Sequence, residues 1–274
     1  MEELEAQLKK IYAQDLEKRR NWYSNVASAY DQARPRYPIE LVNRAVEIAQ
    51  LPDRARILEL GCGPGNATGA FAKLGFSLLC LEPSREACEK ARKNCASYPQ
   101  VKFQETTFEE WELASPKFDA VLAATSFHWI DPQIGCNKSA EALKDRGSLI
   151  LLWNMTPQPI YPVYQDLEPI YQIHAPSLAR YENKSTQAQI AEHLGEKAIA
   201  SGKFVNLVSE QVLCEVIYSV DNFLLFLSTL SVYLNLDVET RTALFRDLRE
   251  KIVADYDGSI PIQYLSVLQV AEKV

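Results

Sequence analysis

Residues Arg56-Ile57-Leu58-Glu59-Leu60 run without a break into Gly61-Cys62-Gly63-Pro64-Gly65-Asn66-Ala67-Thr68, and few architectures accommodate that succession. Ile57, Leu58 and Leu60 form the short apolar run of a strand covered on both faces in a parallel sheet. The glycines supply backbone that adopts positive φ and approaches a ligand with no side chain in the way. Strand, tight glycine turn and helix start together make a seat for a nucleotide-like cofactor.

The spacing discriminates among cofactors. A dinucleotide fingerprint requires glycine at its first, third and sixth positions. Counted from Gly61 the sixth position is Asn66, and Pro64 interrupts the loop, which weakens an NAD reading. A phosphate-cradling P-loop ends in Gly-Lys-Ser/Thr, and no lysine follows Gly65 before Lys73. What remains is Glu59, two positions before Gly61, followed by Gly-x-Gly-x-Gly. Phe76 to Glu82 is a second apolar run ending in an acid, where a carboxylate can accept hydrogen bonds from both hydroxyls of a ribose. Val101 to Gln104 reads as a third strand, Phe118 to Ala124 as a fourth and Gly147 to Trp153 as a fifth.

Glu59 with Gly61, Gly63 and Gly65 resembles motif I of the class I S-adenosylmethionine-dependent methyltransferases. Tyr30-Asp31-Gln32-Ala33-Arg34-Pro35-Arg36-Tyr37-Pro38 and Phe127-His128-Trp129-Ile130-Asp131 are similar to a small-molecule subgroup that includes trans-aconitate methyltransferase-like proteins. The resemblance covers roughly residues 25 to 155 and is weaker beyond. It implies an α/β fold: a doubly wound, mostly parallel seven-stranded Rossmann-like sheet with a helical cap. It implies S-adenosyl-L-methionine as cofactor, held by Tyr30, Arg34, Glu59, Gly61, Cys62, Gly63, Asn66, Glu82, Pro83, Ser84, Thr107, Phe108, Glu109, Ala124 and Thr125. Many members carry aspartate where this chain has Thr107, so Glu109 or a backbone carbonyl is the substitute partner for the adenine amine.

The chain has 274 residues, of which 47% are hydrophobic, enough for a sizeable core. A net charge of -7 argues against a nucleic-acid partner, because phosphate binding leans on a basic face. Six cysteines without a paired Cys-x-x-Cys spacing, and the lack of a secretory segment or long apolar run, favour cytoplasmic free thiols and no membrane span. The three histidines, His128, His174 and His193, are scattered without a metal-ligand pattern, so no metal is expected.

The chain is expected to fold as one methyltransferase domain with four parts. Residues 1–50 hold N-terminal helices, and 51–155 the cofactor-binding core. Residues 156–204, rich in proline, form a cap insertion. Residues 205–274 add the remaining strands and helices of core and cap. In the first part, Leu4, Leu8, Ile11 and Leu16 fall near one face of a helix expected over residues 2–20.

Methyl transfer from a sulfonium is an in-line displacement, in which the protein aligns, desolvates and sometimes deprotonates. A carboxylate oxygen, the first expectation for the acceptor, needs no base; a hydroxyl or ammonium does. His128, just past the fourth strand, is the candidate catalytic group, and the alternative is that His128 and Trp129 only wall the pocket. Arg34 suits the methionine carboxylate, and Arg34 or Arg36 an acidic substrate. The expected partner is a small molecule met by a monomer or homodimer. The alternatives are an N- or C-methyltransferase of another metabolite, a non-catalytic S-adenosylmethionine-binding sensor and, more distantly, an NAD oxidoreductase.

Overall fold

The computed structural model describes residues 2–13, 26–113 and 118–274. Among the described residues, helices α1 (Glu2–Tyr12), α2 (Ala27–Ala33) and α3 (Ile39–Ile48) precede β1 (Arg56–Leu60). The glycine turn then leads into α4 (Thr68–Lys73), β2 (Ser77–Glu82), α5 (Arg85–Asn94), β3 (Val101–Glu105) and β4 (Phe118–Ala124). Next come α6 (Pro132–Ala142), β5 (Leu143–Asn154), a two-residue β6 (Gln158–Pro159), α7 (Tyr161–His174) and α8 (Lys184–Ala200). The chain closes with β7 (Phe204–Ser219), α9 (Val220–Leu227), α10 (Ser231–Leu234), α11 (Val238–Tyr256) and β8 (Ser259–Lys273).

The strands form one sheet in the order β3-β2-β1-β4-β5-β8, with β6 and β7 both paired to β8. β1 to β5 are mutually parallel, and β8 runs antiparallel to β5, β6 and β7. The seven expected strands are present, and β6 is an eighth. It arises because the chain leaving β5 stays extended through the prolines and reaches Ile262 and Gln263 of β8.

Alternate residues of the central strands serve opposite faces, as the two-residue period of a strand requires. Leu58, Leu60, Val121, Ala123, Leu149 and Leu151 pack with Cys136 and Ala140 of α6 and Ala191 and Ala198 of α8. Ile57, Ala120, Leu122, Ile150 and Leu152 pack with Leu41 and Val42 of α3, Phe71 of α4 and Ala91 of α5. Helices thus cover both faces, which explains why β1 carries no polar face. Polar caps set helix starts: the Ser84 hydroxyl accepts from Ala87 N–H, and the Asp131 carboxylate accepts from Gln133 N–H ahead of Pro132.

A third cluster, with Leu167 and Tyr171 of α7, Phe223 and Phe226 of α9, Tyr233 of α10 and Leu244 and Leu248 of α11, forms the cap. Residues 156–204, expected as one insertion, therefore divide. α7 joins the cap, whereas α8 lies on the sheet because its small residues meet β8: a Cβ on Gly195 would stand 2.4 Å from the Gln269 amide. The rest of the cap is inserted between β7 and β8. At the N-terminus the helix ends at Tyr12; Leu16 and the side chain of Leu4 lie outside the described residues. Glu5 of α1 pairs with His193 and Lys197 of α8, and Leu8 is buried.

Gly61 is confined in two ways. Its φ is +62°, and an added Cβ would stand 2.9 Å from the Ser126 Cβ at the end of β4. Gly63 also has positive φ, +54°, but no heavy atom lies within 4 Å of where its Cβ would be. Gly61→Ala should destabilise the ligand-free protein by roughly 2 kcal/mol or more, and Gly63→Ala by about 1 kcal/mol from backbone strain alone. Urea unfolding of the two variants checks this; equal losses would contradict the Ser126 contact.

Candidate active site

The sheet order reverses between β1 and β4, and ligands of such sheets bind beyond the carboxyl ends of the strands at that point. A cavity of about 510 Å³ opens there, between the strand ends, the cap, α1 and the segment after α2. Glu82, the last residue of β2, sits on its floor and is only 7% exposed. Its Oε2 accepts from Gly63 N–H at 2.7 Å and its Oε1 from Ser84 N–H at 2.9 Å. Burial pushes the carboxyl up to about 7, and the two N–H donors oppose that rise. Each oxygen keeps a further lone pair for a ligand hydroxyl.

Glu59 does not line the cavity. It lies beneath the glycine loop, 1% exposed, where its Oε2 accepts from Thr68 Oγ1 at 2.7 Å and from the Cys80 thiol. Its Oε1 is buried with no hydrogen-bond partner. Burial raises its pKa to about 7, and the nearby Glu82 adds to the rise. These bonds join β1 to α4 and β2, and they set Glu59, expected among the cofactor residues, off the cavity wall. Cys62 lines the cavity, but its hydrogen bond with the Cys80 thiol and its burial hold its own thiol well above the usual range, so it is no nucleophile.

The other expected cofactor residues surround the same cavity: Tyr30, Arg34, Gly61, Gly63, Asn66, Pro83, Ser84, Thr107, Phe108, Glu109, Ala124 and Thr125. Asn66 Oδ1 is buried there without a partner. Thr107 Oγ1 donates to the Glu110 carboxylate at 3.0 Å and accepts from its N–H, so its hydroxyl is used in turning the loop. Lys138 of α6 steadies that loop through the carbonyls of Glu109 and Trp111.

The segment after α2 is fastened at both ends. Arg34 Nε donates to Thr229 Oγ1 at 2.9 Å and Nη2 to the Thr229 carbonyl at 3.0 Å, with the guanidinium over the rings of Tyr30 and Phe226. Three residues on, the Tyr37 hydroxyl meets Thr125 Oγ1 at 2.7 Å, and Asn154 Nδ2 donates to the Pro35 carbonyl at 3.0 Å. Thr125 also accepts from Asn154 N–H and has φ +52°, a strained position for a β-branched residue at the end of β4. Arg36 instead turns outward to Asp31 and is absent from the cavity wall.

His128 lines the far side of the cavity between Trp129 and Trp153, with ring centroids 5.4 and 5.8 Å away. Its Nδ1 is buried without a partner. Burial, and secondarily the positive Arg34, lower its pKa to about 4, so the ring is neutral near pH 7. His174 and His193 lie elsewhere, paired with Asp247 and Glu5. Among the described residues, no group of three or more His, Cys, Asp or Glu could hold a metal ion.

Sequence reasoning gave no role to Tyr37, Asn154, Thr229 or Gln269. Asn154 was the most accessible of these, a polar residue closing the apolar run of β5. Gln269 accepts from Trp153 Nε1 at 2.8 Å and so fixes that ring in the wall.

Residues 57–147 match the family model of the methyltransferase domain. An uncharacterized methyltransferase of Mycobacterium tuberculosis is 32% identical over 132 residues, 48% of this chain and 51% of that protein. The chain spans about half the length of the curated relatives it matches. A provisionally named type II methyltransferase of Anaeromyxobacter dehalogenans superposes with a TM-score of 0.63 at 18% identity, over 88% of this chain and 97% of that one. Phosphoethanolamine N-methyltransferase 2 of Haemonchus contortus, solved with S-adenosyl-L-methionine, gives 0.52 at 14% identity, over 93% and 58%. The two structural likenesses show the fold. Residues 57–147 thus resemble a methyltransferase domain, set in a Rossmann-like fold.

The two raised carboxyls have a measurable consequence. Between the unfolded carboxyl range near 4.5 and the folded value of about 7, the folded state holds more protons, so stability falls as pH rises through that window. Glu59→Gln should remove its share of the slope, up to about 1.4 kcal/mol per pH unit. Denaturant unfolding of the ligand-free protein from pH 4.5 to 7.5 checks this; an unchanged slope contradicts the assignment.

Proposed function

We propose that this chain is an S-adenosylmethionine-dependent methyltransferase acting on a small molecule at a carboxylate oxygen. The observation that carries the reading is Glu82 at the switch point, its two oxygens held by the N–H groups of Gly63 and Ser84. The residues present fit the cofactor. Asn66 offers a buried unpartnered oxygen, and the space above Gly63 is open. Glu82 would take the ribose hydroxyls, Phe108 and Glu109 the adenine end, and Tyr30 and Arg34 the methionine end. When bound, the cofactor supplies a methyl group already activated by its sulfonium.

The protein's own contribution is alignment and exclusion of water. A histidine with a pKa of about 4 is a weak base, which favours an acceptor that is already nucleophilic. His128 then orients the acceptor by hydrogen bonding, a role supported by its unpartnered Nδ1. A hydroxyl or ammonium acceptor would ask more of that ring than its proton affinity offers. The net charge of -7 supports a diffusible metabolite over nucleic acid. No helix among the described residues is long and apolar enough to cross a membrane. On this reading the protein acts in the cytoplasm as a monomer or homodimer.

Thermal shift assays should show stabilisation by S-adenosylmethionine and by its demethylated product; stabilisation by NAD alone would overturn the reading. Glu82→Ala should weaken S-adenosylmethionine about tenfold or more, as expected for losing hydrogen bonds to a charged group. Once a carboxylate acceptor is in hand, His128→Gln should retain more than about a tenth of wild-type turnover, since no proton needs to move. A loss of about a hundredfold or more would make His128 the base and the acceptor a hydroxyl or amine.

A further inference from the structure

The cavity has two unlike halves. The half over β1 and β2 is lined by glycine backbone and by Glu82, Asn66 and Glu109. The half under the cap is walled by aromatic and aliphatic side chains from four separate elements, among them Trp153, Met155, Tyr164, Leu167, Phe223 and Leu227. These rings are fixed in place. Trp153 donates to buried Gln269, and the Tyr233 hydroxyl donates to that of Tyr171 at 3.1 Å. The Trp153 N–H and the Tyr171 and Tyr233 hydroxyls are thus engaged, and the wall's carbon atoms dominate what faces the cavity.

Charge is sparse in the capped half. Arg34 enters at the junction of the two halves, and Thr229 uses two of the five N–H donors of its guanidinium, leaving three. Those three suffice for the cofactor's carboxylate and for one edge of an acceptor carboxylate. Among the described residues, the other charged side chains of the capped half are Arg180 and Glu182. A further carboxylate set against the aromatic rings, out of reach of Arg34 and Arg180, would be buried without a counter-charge, which is strongly unfavourable.

Building on the methyltransferase reading, we infer that the acceptor is a monocarboxylic acid with an apolar body: one carboxylate at the His128 and Arg34 end, and an aromatic or aliphatic remainder in the capped half. Polycarboxylates such as aconitate are disfavoured, because a second carboxylate would have to lie against the aromatic wall that holds the body. Transfer forms one C–O bond and breaks the cofactor's S–C bond, the carboxylate oxygen supplying the electron pair and no proton being released. The product is a neutral ester, which the apolar wall tolerates better than the acid.

The test uses the full chain with saturating S-adenosylmethionine and measures formation of the demethylated cofactor. Probes are 3-phenylpropionate, octanoate and decanoate, against trans-aconitate and citrate. At least one monoacid should show a kcat/KM about a hundredfold above either polyacid. Val232→Trp, which fills the cavity from a rim position 40% exposed, should raise the KM for that acid at least about fivefold. Its dissociation constant for S-adenosylmethionine, measured by calorimetry, should stay within about twofold, because the wall half and the cofactor half are separate. Equal or better use of the polyacids, no turnover of any monoacid by a protein that binds S-adenosylmethionine, or an unchanged KM in Val232→Trp overturns the inference and leaves the methyltransferase reading standing. Failure of the wild-type protein to bind S-adenosylmethionine overturns both.

Discussion

The Glu82 carboxyl, held between the N–H groups of Gly63 and Ser84, ties the loop after β1 to the turn after β2. These are separate chain segments, and the bond sets the spacing between the glycine backbone and the start of α5. A charge placed so deeply resists ionisation, and the two donors recover part of that cost. The loop can reach Glu82 only because Gly61 takes positive φ beside Ser126 and Gly63 leaves its outer face open. Below it, Glu59 joins β1, α4 and β2 from inside the core. The floor of the cavity is therefore a hydrogen-bonded unit made before any ligand arrives.

The second half of the site depends on the segment from Tyr30 to Tyr37. Thr229 holds it to the cap, while Thr125 and Asn154 hold it to the ends of β4 and β5. Arg34 is thereby fixed near His128, and its positive charge adds to burial in keeping that ring neutral. One segment thus joins the cavity floor, the cap and the proton affinity of His128. The strain at Thr125 is maintained by bonds on both sides of it, the usual condition for unfavourable backbone at a functional site.

The parts visible in the sequence were those whose chemistry is local. The run Ile57 to Leu60, the glycine turn and the acid ending Phe76 to Glu82 announce a strand order and a ligand position, because burial on both faces and positive φ leave clear residue signatures. β4 falls where the apolar pattern puts it, Phe118–Ala124. The position of Glu59 off the cavity wall was hidden, because spacing along a strand does not say which side of a loop a side chain takes. The division of residues 156–204 was hidden as well, since the small residues of α8 that meet the sheet, Ala191, Gly195 and Ala198, do not announce their partner on β8. The partners of Arg34 and Trp153 lie 195 and 116 residues away, beyond any local pattern.

The central claim is that the floor at Glu82 seats S-adenosylmethionine and that the acceptor meets it from the capped half. A crystal structure with bound S-adenosylhomocysteine tests it directly. The account predicts the ribose hydroxyls on the Glu82 carboxylate, the adenine beside Phe108, and the sulfur facing the space between His128 and Trp153. A ribose bound away from Glu82, or a sulfur facing away from the cap, would contradict it.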